Sequence, residues 1–334
     1  MKILITGASG FIGGFLVEKA LEKGFETWAG VRTSSSRKYL RDPRTQFIDF
    51  NYDDPESLKK QIAELRDEHG KFDCIVHNMG ITKCNDKRDF DKINYLYTKN
   101  FVEALLANDM IPKRFIYMSS LSAWGPGDSL TGRPIMLADE AKPNTLYGQS
   151  KLKAEQFLQT VPDLPYVFVR PTGVYGPREK DYFVFNKTIA GGLEPSMGFK
   201  IQYLTFVYVR DLVKFVFRVI ESDIVRKGYF VTDGKVYTNK EYANIVKKHL
   251  GVKRTIKIKI PLFLVKGISY FLDTVYGWFG KSPTLNRDKY KLLSVTNWKC
   301  EIKALKTDFD FTADYDLDRG TEEAIAWYKQ EKWL

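Results

Sequence analysis

The sequence predicts an α/β fold: a doubly wound parallel sheet with helices on both faces, accompanied by a smaller, interleaved C-terminal domain. Three observations predict it. Short β-branched runs alternate with helical apolar spacing through the first half of the chain. A glycine-rich turn, GASGFIGG, directly follows the first of those runs. The remainder, 173–202 and 235–334, is richer in aromatics and broken by Pro and Gly.

KILIT (2–6) reads as a strand, and Phe11–Lys23 has helical apolar spacing that stops at Gly24. FETWAGV (25–31) and TQFIDF (45–50) are the second and third strands. Asp54 and Pro55 open a helix, an acceptor side chain followed by a residue that needs no amide partner, and Gly70 closes it. FDCIVHN (72–78), RFIYMSS (114–120) and YVFVRP (166–171) are further buried strands, separated by helices near 89–108 and 147–160. Apolar runs near 203–209 and 228–232, with a helix from Asp211 between them, are expected to return to the same sheet. Residues 1–172 and 203–234 are thereby assigned to the sheet domain, and 173–202 and 235–334 to a substrate-binding domain.

A chain of 334 residues with 44% hydrophobic content can bury two cores. The net charge of +11 raises nucleic acid as a partner, but 41 acidic residues are interspersed with 52 basic ones, which argues for a solvated surface. A mild basic excess suits an anionic cofactor and a small-molecule substrate. Three cysteines, Cys74, Cys84 and Cys300, show no paired spacing, so a reducing, cytoplasmic setting is expected. No two His or Cys residues stand at metal-ligand spacing, so no metal is expected. The N-terminus reads as a strand rather than a signal peptide. The apolar stretch Ile260–Phe279 carries Pro261, Lys266 and Asp273 and falls short of a membrane span. It reads as an amphipathic helix, with core or pocket lining favoured over a membrane anchor.

In the glycine turn, Gly7 can make the tight bend, Gly10 lets backbone approach a pyrophosphate, and Gly13 lets the helix pack on the sheet. The helix opening with Phe11 and Ile12 directs free amides at the phosphates. Strand, turn and helix in this order are the context of a Rossmann-type dinucleotide site, although the spacing is G-x-x-G-x-x-G. An NAD-binding site of this kind ends its second strand with a carboxylate for the adenosine ribose. Val31 takes that slot here and Arg32 follows. Arg32, with Ser34, Ser35, Ser36 and Arg37, offers donors to a 2′-phosphate, which favours NADP(H) over NAD(H). The alternative reading is a solvated polar loop.

LYGQSK places Tyr147 and Lys151 four residues apart, on one face of a helix. An ammonium beside a phenol favours the phenolate, so the pair could act as a base near neutral pH. Upstream, Ser119 and Ser120 end a strand at the sheet edge where ligands bind in open α/β folds.

Together these motifs resemble the extended short-chain dehydrogenase/reductase family, also described as NAD-dependent epimerases and dehydratases. The resemblance spans TGASGFIGG (6–14), SSLSAWG (119–125), Tyr147–Lys151, RPTGVYGP (170–177), VYVRDLV (207–213) and RGTEEAIAWY (319–328). It implies that Ser120 holds the substrate oxygen, that Tyr147 is the acid/base, and that Lys151 lowers its pKa and holds the nicotinamide ribose. It also implies that Asp49 and Phe50 flank the adenine, and that Asn78, Met79 and Gly80 border the cofactor, where the family usually has smaller residues. Asn94 matches a mid-helix asparagine. Pro171 belongs to the RPTG stretch, in which Thr172, Gly173 and Val174 match backbone beside the carboxamide. Trp124 stands where the family often has Tyr and, with Arg178, is expected to shape the substrate pocket.

The implied chemistry is hydride transfer at a ketone or secondary alcohol. The Val-Arg pair resembles a dihydroflavonol-reductase-like branch. A nucleotide-sugar epimerase with transient oxidation by bound NAD is the alternative, and a cofactor-binding scaffold without chemistry is the second. Dehydration is disfavoured because Leu121-Ser122 replace the family's Asp-Glu pair. The family it resembles often forms homodimers through paired helices, while the sequence itself does not set the oligomeric state.

Overall fold

The computed structural model describes residues 1–279, 283 and 285–334. The chain divides into two units: residues 1–123, 146–170 and 213–229 form the first, and 124–145, 171–212 and 230–334 the second. Residues 124–145, 171–172, 203–212 and 230–234, grouped with the sheet domain from sequence, therefore cluster with the second unit.

In chain order the first half comprises β1 (Lys2–Thr6), α1 (Phe11–Glu22), β2 (Glu26–Gly30), β3 (Gln46–Ile48), α2 (Pro55–His69), β4 (Cys74–His77), α3 (Tyr97–Ala107), β5 (Arg114–Met118), α4 (Leu146–Thr160) and β6 (Tyr166–Pro171). The second half continues with β7 (Gly173–Tyr175), α5 (Asp181–Ala190), β8 (Leu193–Met197), β9 (Tyr203–Leu204), β10 (Phe206–Tyr208), α6 (Val209–Ile220), β11 (Lys227–Val231), β12 (Tyr237–Thr238), α7 (Asn239–Leu250), β13 (Ile256–Ile260), α8 (Leu262–Trp278), α9 (Arg287–Leu293), α10 (Lys303–Phe309) and α11 (Leu317–Gln330).

The main sheet has strand order β11-β6-β5-β4-β1-β2-β3, and its pairs from β3 through β6 are parallel. The order reverses between β1 and β4, which places a crevice beyond the carboxyl ends of those two strands. Register aligns the ends: Thr6 faces Gly30 on one side and His77 on the other, and His77 faces Tyr117. Residues just past Thr6, Gly30, His77 and Met118 therefore share one edge.

Local sequence explains the bounding helices. The Asp54 carboxylate accepts from Glu56 N and Ser57 N at 3.1 Å each, Pro55 begins α2, and Gly70 ends it at φ +71°. The helix expected over 89–108 is not uniform. Phe90–Leu96 forms a π-helical turn that runs into α3, a wider winding often found at functional sites. The core of the first unit joins Leu4, Trp28, Phe101, Phe115, Tyr117 and Phe168 between sheet and helices.

β11 joins the main sheet as expected, but β10 does not. It pairs in parallel with β7, and its Phe206 and Tyr208 enter a separate aromatic core with Tyr175, Tyr242 and Tyr328 in the second unit. Apolarity signals that a strand is buried, not which strand it pairs with. The second unit also holds a parallel ribbon of β8 and β13 and an antiparallel pair of β9 and β12.

Candidate active site

The turn after β1 is as tight as its glycines demand. Gly7 sits at φ +63°, and a β-carbon there would stand 2.9 Å from Asn78 O and from Met79 Cα. One on Gly10 would lie 3.2 Å from Gly7 O. One on Gly13 would run into Gly7 O and stand 2.7 Å from Ala8 Cα. Gly10 N donates to Gly7 O at 3.0 Å, and α1 starts at Phe11 with no side chain capping it. Its first amides, at the partly exposed Phe11 and Ile12 and at Gly13, have no intrahelical partner and stand just past the end of β1. That makes a concave anion cradle.

The 77–80 segment closes one side of this cradle. Asn78 Nδ2 donates to Gly7 O at 3.3 Å, and Met79 N donates to Thr6 Oγ1 at 3.2 Å. His77 is buried between Thr6 Oγ1 (3.0 Å) and Thr98 Oγ1 (3.1 Å), and burial holds its pKa down to about 3. The neutral ring stacks on Phe101 and Phe115. Thr6 opens the TGASGFIGG stretch, but sequence reasoning gave no role to it, to His77 or to Thr98 and missed them as supports.

Gly80, Asn94 and Lys151 converge. A β-carbon on Gly80 would lie 2.9 Å from both Asn94 Oδ1 and Lys151 Nζ. Asn94, buried within the π-helical turn, accepts from Ile81 N at 2.8 Å and donates to Ile81 O at 3.0 Å and Ser150 Oγ at 2.9 Å. It therefore ties the 80–81 backbone to α4 rather than lying exposed on a helix.

Past β2, the loop differs in detail from expectation. Arg32, Ser34 and Ser36 are exposed and Ser35 is half-buried. The Arg37 guanidinium lies 4.1 Å from the centre of the Phe47 ring, so it packs on β3. The Asp49 carboxylate accepts from Thr33 N at 2.7 Å and from Thr33 Oγ1, which fixes the loop that carries Arg32. Phe50 points inward and packs on Tyr52 and Phe101, so only its backbone is left to border an adenine.

Ser120, Tyr147 and Lys151 are supplied by the end of β5 and by α4. A Ser120–Tyr147 side-chain hydrogen bond joins the two hydroxyls. Lys151, nearly fully buried, donates to Met118 O at 2.9 Å and sits 4.8 Å from the centre of the Tyr117 ring. Desolvation brings its pKa down to about 7, with Glu155 opposing the shift. Burial raises the pKa of Tyr147, and the hydrogen bond to Ser120 opposes it. Burial thus outweighs the Ser120 hydrogen bond at Tyr147, and the Lys151 amine is drawn to a backbone carbonyl rather than to the phenol. Ser119 Oγ, buried beside Ser120, hydrogen-bonds to none of the described residues.

The remaining candidates belong to the second unit. Thr172 N and Oγ1 both donate to Val231 O, at 3.1 and 3.3 Å, directly after the buried Pro171. Gly173 admits no β-carbon, which would run into the Tyr182 hydroxyl, and Val174 pairs with Val207. Trp124 packs edge-on against Phe230 at 5.7 Å. Arg178 is half-buried and adopts φ +76°, a left-handed conformation uncommon for a long side chain. Among the described residues no cluster of His, Cys, Asp or Glu could hold a metal ion, and no helix is long and apolar enough to cross a membrane.

Residues 3–231 match the family model described as the NAD dependent epimerase/dehydratase family. The chain belongs to that family. Within it, the chain is 28% identical to a 3-beta-hydroxysteroid dehydrogenase of Mycolicibacterium neoaurum, over 98% of this chain and 91% of the relative. It is 26% identical to the N-acetyl-alpha-D-glucosaminyl-diphospho-ditrans,octacis-undecaprenol 4-epimerase of Escherichia coli O157:H7, over 97% and 94%. Its fold is similar to that of UDP-glucose 4-epimerase from Thermotoga maritima, with a TM-score of 0.78, 18% identity and 99% and 100% coverage. The protein is thus an NAD-dependent epimerase/dehydratase-family enzyme of the extended short-chain dehydrogenase/reductase kind. Its residues fit the dinucleotide: the turn packs so closely that a β-carbon at Gly7 or Gly13 would meet backbone, and the first amides of α1 carry no side-chain cap.

Proposed function

We propose that the protein transfers hydride between a nicotinamide cofactor and a secondary alcohol or ketone on a largely apolar, sterol-like substrate. The hydrogen bond between Ser120 and Tyr147, with Lys151 one turn further along the same helix, carries the reading. The named dehydrogenase relative, aligned over nearly the whole chain, supports the substrate class.

The Gly7–Gly13 turn and the first amides of α1 would hold the pyrophosphate, and Arg32 the 2′-phosphate of NADP(H). The cofactor, when bound, supplies or accepts the hydride. Ser120 donates a hydrogen bond to the substrate oxygen. Tyr147 removes the hydroxyl proton in oxidation and returns it in reduction. Lys151, when protonated, stabilises the Tyr147 phenolate. The Met118 carbonyl holds the amine beside Gly80, where a β-carbon would stand 2.9 Å from it.

A second reading, epimerisation with transient oxidation, draws support from the polyprenol-linked epimerase relative. The test screens hydroxysteroids, their ketones and nucleotide sugars with each cofactor, following reduced-nicotinamide absorbance. Net turnover of a hydroxysteroid by the wild type and not by Tyr147→Phe is the expected result. Tightly retained NAD with no net turnover on any alcohol or ketone would overturn it in favour of the epimerase.

A further inference from the structure

The α8 helix reverses the usual polarity of a surface helix. Its packed stripe is narrow: Val265 and Ser269 are buried, and Leu272 and Val275 are half-buried or less enclosed. At about 100° per residue, Phe263, Leu264, Phe271 and Trp278 fall on the opposite side, together with Gly267 and Thr274. Phe263 is 72% exposed, Phe271 66% and Trp278 78%. The charged residues of the helix, Lys266 and Asp273, both lie beside the packed stripe, and Asp273 pairs with Arg287 at 3.4 Å. No charge interrupts the outer face. The sequence expectation of a core or pocket-lining helix is met by the buried Val265 and Ser269 and by the cavity-lining Leu262 and Phe263, whereas Phe271 and Trp278 face outward.

The approach to α8 adds to this surface. β13 reads Ile-Lys-Ile-Lys-Ile, and its first four residues are exposed. Pairing of β13 with β8 puts Ile256 beside Leu193, both exposed. The end of β8 packs closely on the start of α8, where a β-carbon on Gly198 would stand 3.1 Å from Leu262 Cγ. Phe199 and Ile201, 70% and 58% exposed, come immediately after. Met197, Phe199, Lys200, Pro261, Leu262 and Phe263 help line a cavity of about 660 Å³ within this unit.

Basic residues dominate the approach to α8. Between Gly251 and Phe279 the basic residues are Lys253, Arg254, Lys257, Lys259 and Lys266, against the single acidic residue Asp273. Those five basic side chains are exposed and form no salt bridge with a described residue. An exposed aromatic face approached by a lysine-rich strand matches a bilayer interface, where rings enter the headgroup boundary and cations meet anionic lipid. At 17 residues the helix lies along such a surface rather than crossing it.

We infer that α8, with the adjoining 199–201 segment, docks the protein peripherally on an anionic lipid membrane. Such docking brings the exposed, cavity-lining Phe199 and Phe263 to the lipid boundary and needs no assumption about the reaction catalysed.

Flotation of the full chain with vesicles tests it, using phosphatidylcholine alone and phosphatidylcholine mixed with phosphatidylglycerol. The wild type is expected to float with the mixed vesicles and at least tenfold less with the neutral ones. The Phe271→Asp/Trp278→Ser variant should lose at least tenfold in binding, with an unchanged circular-dichroism spectrum. Lys257→Glu/Lys259→Glu, which leaves the apolar face intact, should lose binding to the mixed vesicles alone. Failure of the wild type to float, equal binding to both vesicles, or unchanged binding by Phe271→Asp/Trp278→Ser would overturn the inference. So would a wild-type dimer that does not float and that the same variant converts to a monomer in sedimentation velocity, since a second copy would then cover the helix.

Discussion

Thr98 commits its hydroxyl proton to the Asn94 carbonyl at 2.9 Å, so its oxygen is left to accept from Nε2 of His77. That relationship sets the tautomer. Nε2 carries the proton, and Nδ1 accepts from the Thr6 hydroxyl, whose oxygen accepts in turn from Met79 N. A directional chain thus runs from the cofactor-wall backbone to the π-helical turn around Asn94.

His77 should make stability steeply dependent on acid pH. Its folded pKa of about 3 lies below the ordinary value of 6.5, so between those values the unfolded chain binds the extra proton. Stability from this group is full above pH 6.5 and falls as pH drops towards 3, by an amount on the order of a few kcal/mol. His77→Gln should lower stability at pH 7 by about 1–3 kcal/mol through imperfect pairing of Thr6 and Thr98. Its urea midpoint should then fall less steeply than that of the wild type between pH 6.5 and 3.

Gly13→Ala should damage the cofactor cradle. The added methyl meets only backbone, Gly7 O and Ala8 Cα, which cannot rotate away. A loss of about 1–3 kcal/mol is expected for such overpacking, with cofactor affinity weakened at least tenfold in calorimetric titration. Gly24→Ala is the control. Its φ is +72° but nothing lies within 4 Å of the new β-carbon, so backbone strain should lower stability with cofactor affinity unchanged.

Tyr147→Phe should reduce kcat by about 10²–10⁴-fold while leaving cofactor affinity within a few-fold. In the wild type, the raised Tyr147 pKa keeps the phenol protonated at neutral pH. Oxidation, which needs the phenolate, should therefore accelerate with rising pH, and reduction, which needs the phenol, should slow over the same range. Steady-state pH profiles in both directions check the signs.

Arg32→Asp should exchange cofactor preference. The Asp49–Thr33 hydrogen bonds hold the loop independently of the Arg32 side chain, so the substitution changes charge without releasing the backbone. Affinity for NADPH should fall at least tenfold and that for NADH should rise. Unchanged preference in paired titrations would show that the exposed guanidinium does not contact the 2′-phosphate.

Motifs that encode backbone geometry were legible in the chain alone. Gly7 and Gly13 declare a close approach, and the observed neighbours confirm the collision a β-carbon at each would suffer, while one at Gly10 would sit a tight 3.2 Å from Gly7 O. Asp54-Pro55 and Gly70 likewise mark the ends of α2. Partnering was less legible. Phe206–Tyr208 reads as a buried strand whichever sheet it joins, and its pairing with β7 depends on long-range contacts. The helical spacing of α8 was visible, but spacing cannot say which side packs when both sides are apolar. Lys151 shows a similar limit: four-residue spacing from Tyr147 does not reveal that its amine is engaged by Met118 O.

The π-helical turn at Phe90–Leu96 can be regarded as one residue more than a regular helix requires. Deleting a single residue before Asn94, for example Lys92, would allow ordinary winding that leaves α3 in register yet displaces Asn94 from the widened turn. The sheet, its glycines and its hydroxyls would all remain, while the amide clamping Ile81 to Ser150 turned elsewhere. The length of this segment is thus as much a determinant of the site as the identity of any residue in it, and single-residue substitutions alone would not expose that dependence.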